Sequence, residues 1–285
     1  MPDRQAIIRQ ALSGDNLDEL LQIIGLIDDQ TRALVLTALQ SRLTTQSKRQ
    51  ATEGIRQVIQ RERDKISDWV ITSTATAYNT GANTMLDDIN TIGISPTRGD
   101  QVYQRQFTTD RLRNLNVLST HREAVNALAS ENFLDFATGL DGIVKAGTRQ
   151  LSEGLRRQIQ AQQVAGRITG VDVRRIGTEI ADTIGQQGFS ALIYRNGAKW
   201  TLPNYSKMLA RTQSIKAFNE GTIARVRDWG IDLVQVSRHP HACDICTPFE
   251  TKIYSVSGNS DLYPPLNLRP PFHPNCGHSL LPYVV

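Results

Sequence analysis

Five side chains near the end of the chain stand in an order that suits a soft metal ion. Cys243-Asp-Ile-Cys246 is followed, after 26 intervening residues, by His273-Pro-Asn-Cys276-Gly-His278. Two thiols separated by two residues form a knuckle whose sulfurs both reach one tetrahedral ion, and His273 with Cys276 repeats that gap as a second half-site. The pattern predicts a structural zinc held by Cys243, Cys246, His273 and Cys276, since thiolate and imidazole are donors zinc accepts and four protein ligands leave no open position. His278 competes for the fourth place. His239 and His241, just before the knuckle, are alternative ligands or supports for it.

The chain has 285 residues and three cysteines. An odd number cannot close a disulfide framework, and clustered thiols in a reducing compartment point to metal before crosslink. A thioredoxin-like reading of the CxxC needs a βαβ setting near a helix start, which this tail lacks. No HExxH, P-loop or glycine-rich nucleotide fingerprint occurs. The enzymatic alternative is a metal-dependent nuclease using His239, Glu250 and His278, with Glu250 as base beside an ion that keeps a water.

Charge is unevenly distributed. Residues 1–47 carry a balance of −2 and the tail from 228 onward also −2, whereas residues 195–227 reach +6. The basic set there is Arg195, Lys199, Lys207, Arg211, Lys216, Arg225 and Arg227. Such a stretch is either a solvated helical face or a footprint for a phosphate backbone. Few aromatics interleave it, which argues against base stacking on a single strand. No run approaches the length of a membrane span, and the N-terminus lacks a signal-peptide pattern.

The elements that must position these groups are mostly helical. Residues 1–47 read as a helical hairpin, with Leu17, Leu20, Leu21 and Ile24 in one short helix and Leu34, Leu36, Leu39 and Leu43 in another after Asp28-Asp29. A helical region over 48–195 follows. It opens with an uninterrupted helix over 48–92, carrying Ile55, Ile59, Ile66, Trp69, Val70, Ala77, Met85 and Ile89, with Gly54 and Gly81 as weak points. Pro96 stops it. Residues 97–116 read as loop, helical patterning resumes from Val125 to Ile159, and a further helix starts near Asp172. Residues 196–285 form a small α+β module: a helix over 204–228, strands at 231–237 and 252–256, and a proline-rich loop. The fold class is thus mainly α, with a small zinc-stapled α+β module at the C-terminus.

Several runs in this module carry a resemblance. Met208-Leu-Ala-Arg211-Thr212-Gln213, Asp228-Trp229-Gly230, Cys243-Asp-Ile-Cys246-Thr-Pro-Phe-Glu-Thr-Lys252-Ile-Tyr254 and Pro270-Pro-Phe-His273-Pro-Asn-Cys276 resemble phage minor head proteins of the Mu F-like head-morphogenesis family. Gly197-Ala-Lys-Trp200-Thr-Leu, Tyr205, Arg211-Thr212, Ser237-Arg-His239 and Asn275-Cys276-Gly-His278-Ser279 are similar to the related phage minor capsid protein 2 group. The resemblance covers roughly 195–285; residues 1–95 carry no matching motif. Departures from the Mu F-like pattern are Gln213 for a usual Glu, Thr251 for a usual Gly, and Gly277-His278 for an Arg-Cys ending.

The resemblance implies a virion component at the portal and capsid interior, built into the head in the host cytoplasm and oligomeric only through virion assembly. Its implied partners are the portal protein, the major capsid protein and packaged double-stranded DNA, with no membrane. The implied role is head morphogenesis with DNA packaging or ejection, not catalysis. A non-specific DNA-binding module is the alternative, with the basic stretch facing DNA.

Overall fold

The computed structural model describes residues 7, 15–40, 43–92, 119–165, 192–193 and 199–284. The loop expected at 97–116, the helix expected near Asp172, and Arg195 lie outside the described residues. Among the described residues four long helices dominate: α1 (Asp15–Gln40), α2 (Thr45–Thr91), α3 (Ser119–Ala165) and α4 (Leu202–Asp228). Strands β1 (Leu192–Ile193) and β2 (Lys199–Trp200) pair antiparallel. Strands β3 (Leu233–Val236), β4 (Ile253–Ser255) and β5 (Leu280–Pro282) form an antiparallel sheet in the order β4-β3-β5. The protein is therefore mainly α with a small C-terminal sheet, as the patterning predicts. Among the described residues no helix is long and apolar enough to cross a membrane.

Two expectations about the helices need correction. The two short helices read before residue 48 are one: α1 runs through Asp28-Asp29 without a break. The reason is local. Asp28 turns inward and accepts a hydrogen bond from Arg32 one turn later at 2.9 Å, so the acidic pair lies inside one helix and not between two. Burial raises the Asp28 pKa, against the pull of Arg32. Gly81, read as a weak point of α2, is instead a contact point.

α2 begins with a reciprocal cap. The Ser47 N–H donates to Thr44 Oγ1 at 3.1 Å, and the Thr44 N–H donates to Ser47 Oγ at 2.8 Å. This satisfies two backbone donors that the first turn leaves open. At 47 residues α2 is about 70 Å long.

The chain divides into two compact units. The first consists of Asp18–Asp68 and Phe133–Lys207. Its core is aliphatic: Leu20, Ile24, Ile27, Val35 and Leu39 of α1, Ile55 and Ile66 of α2 and Leu151 of α3 are wholly buried. Each such side chain contributes about 1.5–3 kcal/mol by leaving water. A Cβ added at Gly154 of α3 would strike the Leu39 side chain, so the absence of one lets that leucine pack against the α3 backbone.

The second unit consists of Met1–Leu17, Trp69–Asn132 and Met208–Val285. Here α2 and α4 meet backbone to backbone. A Cβ at Gly81 would overlap the Phe218 carbonyl, and one at Gly221 would overlap the Tyr78 carbonyl. Polar side chains complete the crossing: Thr222 Oγ1 donates to the Gly81 carbonyl at 3.3 Å and Arg225 Nε to the Ala82 carbonyl at 3.2 Å. Nearby, His121 bridges the Tyr78 hydroxyl at 2.9 Å and the Asp228 carboxylate at 3.1 Å. Gln213, where the Mu F-like pattern has Glu, is buried and its amide donates to the Asn132 carbonyl at 3.0 Å. A carboxylate cannot donate that bond.

The sheet packs through Val234, Val236 and Leu280, with Leu266 of the proline-rich loop beside them, onto Met85 and Ile89 of α2 and Ile223 and Val226 of α4. Alternation along β3 is what the period-two pattern requires, with Val234 and Val236 inward. The sheet thus has one apolar face on two helices, and its edges lead directly into the cysteine-bearing loops.

Candidate metal centre

The first half-site is a tight turn between β3 and β4. The Cys246 and Thr247 N–H groups both donate to the Cys243 carbonyl at 2.9 Å, and the chain winds into a short 3-10 turn at Thr247–Phe249. This winding brings the Cys243 and Cys246 sulfurs to one side. Amide donors at the knuckle, that of Cys246 first, hold the exposed Cys243 thiol below its usual pKa. Cys246 is buried, and that burial pushes its thiol pKa up, with the Cys243 and Cys276 sulfurs adding to the effect.

The second half-site is the turn before β5. The Cys276 N–H donates to the His273 carbonyl at 3.1 Å, and Asn275 takes a left-handed φ of 61° that an asparagine tolerates. Two residues of α4 hold this segment. Thr212 Oγ1 accepts from the Asn275 N–H at 3.0 Å. The buried Asn219 side chain donates to the His278 carbonyl at 3.1 Å and accepts from the Leu280 N–H at 3.1 Å. Phe249 and Phe272 stack with ring centres 4.4 Å apart, joining the two half-sites through apolar contact.

These turns bring all five sequence-predicted donors together. Cys243 Sγ lies 3.2 Å and Cys246 Sγ 3.1 Å from His273 Nε2. Cys246 Sγ lies 3.7 Å from Cys276 Sγ, and Cys276 Sγ lies 3.5 Å from His278 Nδ1. Zinc–sulfur bonds of about 2.3 Å and zinc–nitrogen bonds of about 2.0–2.1 Å at tetrahedral angles place two sulfurs about 3.8 Å apart, and sulfur and nitrogen about 3.5 Å apart. The Cys246, Cys276 and His278 spacings match those edges; the two His273 contacts are a few tenths of an ångström tighter. The donor set therefore fits a thiophilic tetrahedral ion.

Both histidines are prepared as ligands. His273 Nδ1 sits 2.7 Å from the Pro274 carbonyl, and His278 Nε2 sits 3.0 Å from Glu250 Oε1. Each of those ring nitrogens faces an oxygen that only accepts and so is placed to donate, which leaves the other nitrogen of each ring facing the sulfurs. Glu250 has a second bond from the His239 N–H at 2.6 Å. Slight burial opposes its ionisation, but the His239 and His278 N–H groups outweigh it and hold the carboxyl below the usual glutamate range.

His239 stands beside the cluster, outside its donor atoms. Its ring lies 4.1 Å from that of His278, and its Nε2 is 3.1 Å from Ser237 Oγ. His241 is exposed. The three residues of the nuclease reading thus do meet, but Glu250 is already bonded to both His239 and His278. Thr212 and Asn219 are not legible as supports of the site, because nothing in their sequence spacing links them to the cysteines; Glu250, which the sequence offers beside His278 only as a nuclease base, is bonded to the His278 ring.

The predicted basic set behaves differently. Arg225 is wholly buried at the α2–α4 crossing, so it is removed from any surface that could meet DNA. It was read as surface because a helical arginine near others of its kind usually is. Lys216 pairs with Glu131 at 2.6 Å. Lys207, Arg211 and Arg227 are exposed on α4. The Lys199 side chain, like Arg195, is outside the described residues.

A family model described as phage minor capsid protein 2 matches residues 55–285. A protein named structural protein, from Lactococcus phage LL-H, is 26% identical over 108 residues, which is 33% of this chain and 29% of that protein. The match therefore spans less than a third of that relative's length. No solved structure matches.

Proposed function

The chain belongs to the phage minor capsid protein 2 family, and on that premise we propose that it is a minor structural component of the phage head, located at the portal and capsid interior. In this reading it assists head morphogenesis and DNA packaging or ejection, in contact with the portal protein, the major capsid protein and packaged double-stranded DNA. The observation that carries it is the extent of the family match, which takes in most of α2, all of α3 and α4, and the whole Cys/His tail. Its role is structural, with no catalytic step assigned to it.

The tail's part is that of a stapled docking module. Zinc held by the cluster of Cys243, Cys246, His273, Cys276 and His278 pins two loops that three strands of three or four residues do not hold by themselves. The exposed Lys207, Arg211 and Arg227 supply a modest basic surface on α4 for phosphate contacts.

The test is a phage carrying a stop codon in this gene, with wild-type virions analysed by crosslinking and mass spectrometry. Crosslinks from the chain to the portal or shell protein, together with heads that assemble but fail to fill or to infect, are the expected result. A chain absent from purified virions overturns the reading. For the DNA contact, binding that weakens steeply between low and physiological salt is expected, and salt-independent or absent binding removes DNA as a partner.

A further inference from the structure

We propose that the cluster holds two divalent ions bridged by the Cys246 thiolate, one bound by Cys243, Cys246 and His273 and the other by Cys246, Cys276 and His278. This rests on the reading above that the cluster binds metal. Among the described residues, the donor atoms form two groups of three, each with all atoms within 4.8 Å of one another, and only Cys246 belongs to both.

Three observations point the same way. The first is donor number. Five ligand atoms converge where a tetrahedral ion takes four. None of the five is idle: the Pro274 carbonyl fixes the His273 lone pair on the knuckle sulfurs, and the Glu250 carboxylate fixes the His278 lone pair on Cys276. The two rings therefore address different ends of the sulfur cluster. The second is where Cys246 sits, 3.1 Å from His273 Nε2 on one side and 3.7 Å from Cys276 Sγ on the other. A thiolate sulfur has lone pairs enough to bond two cations at once.

The third observation is solvent access. Cys246, Cys276 and His278 are buried, whereas Cys243 is exposed, so the two donor groups that share Cys246 lie in different surroundings. Each ion then has three protein donors and one further position, which on the Cys243 side is near solvent because that residue is exposed.

The experiment counts ions on the intact chain. Protein purified without added metal or chelator is weighed by native mass spectrometry and analysed for zinc. The chelator-stripped chain is then titrated with cobalt(II) while thiolate-to-cobalt absorbance is followed. Two zinc ions per chain and an absorbance break at two equivalents are expected. His273→Ala and His278→Ala should each lower the count to one, and Cys246→Ser should lower it below either.

One ion per chain, with a break at one equivalent, overturns the bridged pair while leaving the metal-stapled module standing. No ion, with three freely reactive thiols, overturns the metal reading itself and this proposal with it. The wild-type count decides between them even if a variant fails to fold.

Discussion

The aliphatic unit of α1, α2 and α3 and the C-terminal tail are held together by opposite means. In the first, wholly buried leucine, isoleucine and valine side chains recur along long helices, so cohesion is spread over many similar contacts. In the tail, three strands of three or four residues lay one apolar face on two helices, but the long loops between them are ordered by a few directed bonds: the knuckle turn, Asn219, Thr212 and the donor cluster. Spread cohesion degrades gradually when one residue is lost. Concentrated cohesion fails as a whole, and in the proposed metal-bound tail the binding free energy would also be folding free energy.

The sharpest way to test that contrast is metal removal. Binding to small structural zinc modules is worth roughly 10–16 kcal/mol, so chelation or Cys246→Ser should release the tail while the helical signal largely persists. Hydrogen exchange resolved by peptide is the measurement: protection lost over 233–284 and retained over 18–68 is expected, and uniform loss would erase the distinction. The reciprocal experiment cuts the aliphatic unit. Leu39→Ala, at a wholly buried site, should cost about 2–5 kcal/mol in denaturant unfolding and leave metal content unchanged.

Smaller effects probe the tail's backbone and its charges. Thr251 takes a left-handed φ of 59°, a conformation that costs an L-residue roughly 1–2 kcal/mol and a glycine nothing. Thr251→Gly should therefore raise stability by about 1 kcal/mol, read from a thermal melt, without altering metal affinity. This is also the physical reason for the glycine usual at this place in the Mu F-like pattern.

The smallest effect is a titration. Slight burial of Asp232 works against its ionisation, but bonds from Ser255 Oγ at 2.6 Å, the Ser257 N–H at 2.7 Å and the Ser257 hydroxyl prevail and depress its pKa. A depressed folded pKa means stabilisation fully present above the unfolded value of about 3.9 and lost as pH falls through the folded one. Melting of Asp232→Asn should trail the wild type near neutral pH and converge with it as pH falls through the depressed folded-state pKa. A gap that persists in acid would assign the residue a steric role only.

Much of this was readable from residue order. Apolar spacing announced α2 and α3, period-two alternation announced β3, and the CxxC with its HxxC partner announced the donor cluster, because all three depend on neighbours within a few residues. The run through Asp28-Asp29 was not readable, since it turns on whether an aspartate faces inward to its arginine. Nor was the burial of Arg225, which lies at a crossing that Gly81 and Gly221 create from positions 140 residues apart.

The division follows from the range of the forces. Local periodicity and donor chemistry are properties of short segments, so the sequence by itself determined the helical class, the small terminal sheet and the residues of the candidate donor cluster. Which nitrogen of each histidine faces the sulfurs, which side chains of α4 clamp the loop, and which cysteine stands between the two donor groups depend on atoms brought together from distant segments. Only the tertiary structure decided those, because a hydrogen bond between residues 59 or 63 positions apart leaves no spacing in the chain by which to foresee it.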